Sequence, residues 1–137
     1  MTRTTLAAAL ASLLAGAPAY AGDVLPADQP VTLNGIEVAC TGVGDEAQAD
    51  PRWPAFAARI EFANAAAEYL SDVDVTIADA KGETLVEARC DSPWFLAKLP
   101  PGKYLVSGTF EGHESTTAKF TAPKSGQARI VVRFPNL

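Results

Sequence analysis

The chain is short of the residues that carry most enzyme chemistry. It has one histidine, His113, and two cysteines, Cys40 and Cys90. No C-x-x-C occurs and no histidine lies near either cysteine in sequence, so the usual spacings for a cysteine-held zinc are missing. No G-x-S-x-G surrounds a serine, and neither Ser92 nor Ser107 has a histidine near it in sequence to act as base. Lysine and arginine total 11 and are scattered singly, against 16 acidic residues, for a net charge of −5. Nucleic acid and anionic membranes require clustered cations, so neither is an expected partner. Nor is there an apolar run of the ~20 residues needed to cross a bilayer as a helix.

The chain does begin with MTRTTLAAALASLLAGAPAYAGD: a charge at Arg3, an apolar run from Leu6 to about Ala17, and Ala19-Tyr20-Ala21 before Gly22. That order of charge, apolar run and small residues is a secretory signal peptide, with cleavage expected after Ala21. No cysteine near the end of the run offers a lipid anchor, so no membrane insertion is expected once the leader is cut. Removal of residues 1–21 leaves about 116 residues, enough for one domain with a single core. With Arg3 gone, ten basic residues face sixteen acidic ones, a net of −6. Residues 22–30, with two acids and two prolines, are expected to be a flexible lead-in, and 31–137 a single domain.

An exported chain matures where thiols oxidise, so a Cys40–Cys90 disulfide is the leading reading of the two cysteines. The alternatives are a metal-binding pair or a redox-active thiol. Closing a loop of about 50 residues stabilises a fold by roughly 4 kcal/mol in the chain-entropy model.

The remaining sequence is punctuated like a β protein. Residues 31–39 turn at Asn34-Gly35; Val73, Val75 and Ile77 alternate with polar residues; a turn at 79–82 precedes a returning strand at 84–90. Residues 103–110 turn at Glu111-Gly112 into a return at 114–121. The final run, 127–134, places Ile130, Val132 and Phe134 on one side and Arg129 and Arg133 on the other. Residues 55–70 are alanine-rich and by propensity helical, but Phe56, Ala58, Ile60 and Phe62 alternate with Ala57, Arg59 and Glu61. The period of two predicts a strand over about 56–63, a loop through 64–68 and a strand entering at Tyr69. Short strands at spacings of about ten residues indicate an all-β, antiparallel sandwich.

The most specific stretch is CDSPWFLAKLPPGKYLV, residues 90–106. Pro101 and Gly102 suit the two central positions of a type II turn over 100–103, after which Tyr104 and Val106 point inward. This L-P-P-G-x-Y-x-V pattern resembles carboxypeptidase regulatory-like and transthyretin-like domains. Together with CTGVG, DPRW, ARIEFAN, DVTIAD and GQARIVVRF it is similar to small exported proteobacterial proteins that carry such a domain. The resemblance spans about 35–134. It implies a seven- or eight-stranded prealbumin-like (Ig-like) sandwich and a periplasmic location, and it implies neither an activity nor a cofactor.

Several clusters admit a functional reading beside a plainer one. Gly42-Val43-Gly44-Asp45-Glu46-Ala47 matches the dinucleotide-binding turn, but Pro51 follows and no βαβ unit surrounds it. Asp45, Glu46 and Asp50 carry oxygens for a cation, yet not at EF-hand spacing. Glu111, His113 and Glu114 are weak metal candidates and the basis of a metal-dependent enzyme alternative; a polar hairpin tip explains them as well. Trp53 and Trp94 each follow a proline and lie within about a dozen residues of a cysteine. They are expected either to pack around the disulfide or to form an exposed aromatic surface for glycan or peptide. The leading expectation is a non-enzymatic periplasmic binding module for an unknown protein, peptide or glycan; a structural subunit of an envelope assembly is the other alternative.

Overall fold

A computed structural model describes residues 22–137; the expected leader, 1–21, lies outside the described residues. Twelve strands form two six-stranded sheets. In chain order they are β1 (Asp23–Val24), β2 (Val31–Leu33), β3 (Ile36–Thr41), β4 (Ala58–Asn64), β5 (Tyr69–Leu70), β6 (Val73–Asp79), β7 (Thr84–Cys90), β8 (Trp94–Ala97), β9 (Gly102–Phe110), β10 (His113–Glu114), β11 (Ala118–Ala122) and β12 (Ala128–Phe134). Sheet A runs β1-β7-β6-β9, with β10 and β11 both along the far side of β9; sheet B runs β12-β4-β8-β3-β2, with β5 pairing β4.

The alternating residues do what their period requires. Val73, Val75 and Ile77 from sheet A meet Ala58, Ile60, Phe62, Val132 and Phe134 from sheet B in one core. Phe134 lies 6.0 Å from Phe62 and 6.3 Å from Phe110, centroid to centroid. Gly108 leaves no room for a side chain: a Cβ there would stand 2.6 Å from Phe62 Cε1 and 2.7 Å from Val73 Cγ1. The turns at Asn34-Gly35 (φ 50° and 76°) and Glu111-Gly112 (φ 46° and 79°) are the left-handed pairs that two-residue hairpins need.

Four expectations are corrected. The sandwich is mixed rather than antiparallel: β1 pairs β7 and β12 pairs β4 in parallel. Hydrophobic alternation is the same in both kinds of ladder, and direction is set by the connection. β12 reaches sheet B after β11 has ended in sheet A, so no hairpin constrains its sense. The strand count exceeds seven or eight because four strands, β1, β2, β5 and β10, are pieces of two or three residues. The expected type II turn is absent: Gly102 already belongs to β9 with φ 156°, far from the roughly +80° that turn requires.

Finally, the lead-in is docked. Leu25 donates its N–H to Arg89 O (3.0 Å), Ala27 bridges Cys40 in parallel, and Asp28 N–H reaches Cys40 O (2.8 Å). Leu25 is 5% exposed, within the main core. Its apolar side chain outweighs the acids that made the segment look solvated. Residues 22–28 thus strap β7 of sheet A to β3 of sheet B, beside the disulfide that joins the same two strands.

Candidate functional site

The two faces of sheet B differ. Cys40, Phe95 and Ala97 turn inward, so their neighbours Ala39, Trp94 and Leu96 must turn outward. An outward Ala39 and Leu96 would be wet, but both are fully buried. The cover is the segment 42–57, which contains a single helical turn (Asp45–Gln48) and a 3-10 turn (Trp53–Ala55). Trp53 and Phe56, 2% and 1% exposed, pack there edge to face at 5.7 Å. Trp53 Nε1 donates to Ala47 O (2.8 Å), and Gln127 Nε2 donates to the carbonyls of Trp53 (2.9 Å) and Phe56 (3.0 Å). Phe56 therefore leaves the alternation of β4 and joins a second, smaller core on the opposite face.

The disulfide is formed, with S–S 2.01 Å and Cα atoms 5.5 Å apart. Cys40 belongs to the inner core and Trp53 to the outer one, so this tryptophan does not pack around the disulfide. Nor is it an exposed platform. Trp94 is half-buried: the Arg59 guanidinium lies over its ring at 4.3 Å, and the backbone of Gly42 presses on it. A Cβ on Gly42 would be 2.7 Å from Trp94 Cγ, and its φ is 105°, which explains a glycine at the head of the supposed nucleotide motif.

Beyond Trp94 the outer face of sheet B is open and carries a chain of charges. Arg59 on β4 and Arg129 on β12 are paired residues in the parallel ladder. Like charges side by side repel, and Glu61, two residues along β4 on the same face, lies between them. Glu61 is 5% exposed; its Oε2 is 3.8 Å from Arg59 Nε and accepts a short hydrogen bond from Arg129 Nε. Arg129 Nη2 also donates to Tyr69 Oη (2.7 Å), on β5. The hydrogen bond that Arg129 donates to Glu61, foremost, raises the pKa of Arg129 above its already high ordinary value, so the guanidinium stays charged. Arg59 Nε is buried and has no hydrogen-bond partner among the described residues. Arg133 follows on the same face of β12, its Nη1 3.4 Å from Asn64 O. Three arginines and one glutamate thus give this face a positive balance on a chain of net charge −5.

The other clusters do not assemble. Glu111 sits in the β9–β10 turn, while His113 and Glu114 are consecutive strand residues and so point to opposite faces; all three are exposed. Among the described residues no three histidine, cysteine or acidic side chains are placed to hold a metal ion. Asp50 is taken by Arg52 through paired contacts of 3.0 and 2.7 Å, and that hydrogen bond, first among the causes, lowers the Asp50 pKa. Arg52 also covers Trp53 at 4.5 Å.

Arg59, Glu61, Arg129 and Tyr69 were not singled out by the sequence. Their signal was present as polar residues in phase on two strands, but the ladder that brings β4 and β12 together was not legible. No protein-family model matches the chain, and no curated protein matches it.

Proposed function

We propose that this chain is a non-enzymatic binding module, exported through a leader cut after Ala21 and acting in the periplasm, with a sandwich of the carboxypeptidase regulatory-like, transthyretin-like type. Its partner docks on the outer face of sheet B. The observation that carries this reading is the row Trp94–Arg59–Glu61–Arg129–Tyr69, in which a 54% exposed aromatic and two oriented guanidiniums stand outside both hydrophobic cores around a buried carboxylate. Exposed tyrosine and arginine are the side chains enriched where binding energy concentrates in interfaces.

The sheet edges are less suited to adding a partner strand. β7 is occupied at one end by β1, and its Leu85 carbonyl accepts Asn34 Nδ2 at 3.0 Å. The segment before β11 caps part of β12, where Thr116 N–H donates to Arg133 O at 2.9 Å. The charged face is the mode this reading favours over an edge.

Chemical crosslinking in periplasmic extract, run in parallel with wild type and a Tyr69→Ala/Arg129→Ala variant, tests the reading. Partners captured by wild type and lost from the folded variant support it. The same products from both would place the contact elsewhere, and normal trafficking of the chain to the cytoplasm would remove the compartment.

A further inference from the structure

Resting on that binding-module reading, we propose that the outer face of sheet B takes an extended acidic peptide from a partner protein, with carboxylates at positions i and i+4 and an apolar side chain at i+2.

The pattern follows from the strand. On β12, Arg129, Val131 and Arg133 share the outer face, exposed, half-buried and exposed in turn. At about 3.3 Å per residue the two arginines are separated by roughly 13 Å along the strand, with Val131 midway. A peptide laid along β12 in extended form has the same repeat, so its i, i+2 and i+4 side chains meet Arg129, Val131 and Arg133 in register. Arg59, beside Arg129 in the ladder, widens the first position into a pair of guanidiniums that Glu61 alone neutralises.

A guanidinium recognises a carboxylate as a planar fork and binds best when its orientation is already fixed. Here Arg59 is fixed by Trp94 and Arg129 by Tyr69 Oη and Glu61, which lowers the ordering cost of binding. A saccharide fits less well. It would need ring faces to stack on, and of the two aromatics in the row the indole of Trp94 is already covered by Arg59 and pressed by Gly42, which leaves Tyr69 alone. It would also need polar partners midway between Arg129 and Arg133, where the face offers Val131.

The test is a titration of the exported chain, disulfide intact, with the capped peptide GEAVAEG, its control GQAVAQG, and trigalacturonate, followed by NMR of the arginine side-chain and backbone amides. The expected result is binding of GEAVAEG that shifts Arg59, Arg129 and Arg133, weakens with salt, and exceeds the control by about tenfold. Arg133→Gln, which removes only the contact with the Asn64 carbonyl, should weaken it about fivefold, while Lys103→Gln on sheet A leaves it unchanged. Equal binding of peptide and control, or no binding, overturns the proposal; binding of trigalacturonate alone replaces the peptide with an acidic saccharide. If crosslinking loses its partners in the Tyr69→Ala/Arg129→Ala variant but the peptide does not bind, the face is right and the ligand class wrong.

Discussion

Replacing Leu25 by alanine probes whether the strap 22–28 guards the disulfide. Cys40 and Cys90 are 1% and 2% exposed, so a reducing thiolate reaches them only when something opens. The strap holds the backbone at Arg89, next to Cys90, and at Cys40 itself, and Leu25 is its one buried large side chain. Leucine-to-alanine changes in cores cost about 2–5 kcal/mol, and a site at the sandwich edge that can collapse belongs near 2–3. If strap opening is the route to the disulfide, that loss raises the open population, and the reduction rate with it, about 30- to 150-fold. Gly108→Ala is the control, because it weakens the fold from β9, which β6 separates from β7 and the strap, and leaves every strap contact in place. Its added methyl overlaps Phe62 and Val73, an overpacking cost of about 1–3 kcal/mol, against a gain of about 0.5–1 from removing glycine from a strand. Overpacking wins, and a net loss of about 1–2 kcal/mol is expected in urea unfolding. Timed reduction with dithiothreitol, trapping of thiols and mass spectrometry then compare the two. Leu25→Ala should be reduced far faster than wild type, and Gly108→Ala hardly faster. Reduction that merely tracks global stability in both variants would refute the guarding role.

Other consequences are open to measurement. Cys40→Ala/Cys90→Ala, removing a link across a sequence separation of 50, should lower unfolding free energy by about 4 kcal/mol, less if the strap compacts the unfolded chain; an unchanged urea midpoint would contradict this. Gly42→Ala must push against Trp94 at a positive φ, so it should cost about 1–3 kcal/mol and shift tryptophan emission to the red; an unaltered spectrum would mean that Gly42 does not hold the indole. Glu61→Gln leaves two paired arginines without their counter-charge. Because both are partly exposed, about 1–2 kcal/mol is expected, shrinking in high salt, and a salt-independent loss would point to packing instead. The hydrogen bond from Asp72, ahead of burial, raises the Asp91 carboxyl above its ordinary pKa. A raised carboxyl favours the fold while protonated, and that stability is lost as pH rises through the folded-state value. Asp91→Asn should therefore gain melting temperature at neutral pH and show no gain below the carboxylate range; a gain of the same size at both would exclude the shared proton.

The strands were legible where side chains alternate over a long enough run. Val73 to Ile77 and Ile130 to Phe134 face the core as their period demands, because a half-buried strand leaves that imprint whatever its neighbours are. Phe56 shows the limit: it continues the alternation of β4 on paper, yet packs on the opposite face with Trp53, since the chain leaves the ladder before Ala58. Trp94 and Trp53 were marked by proline and cysteine spacing, which could not say which face of the sheet each would take. The charge row was harder still. Arg59 and Arg129 are 70 positions apart in sequence and become neighbours only through parallel pairing.

What the sequence determined by itself was local: the periods, the left-handed turns, and two cysteines that an oxidising compartment would join. Those depend on short-range sterics and on composition. What only the tertiary structure decided was adjacency: the parallel seating of β12 on β4, the docking of 22–28 across the disulfide, and the burial of Glu61 between two arginines. Strand direction and sheet order are set by long-range packing of apolar faces, to which many registers and connections are locally equivalent. The positive face of an acidic protein is the product of that packing.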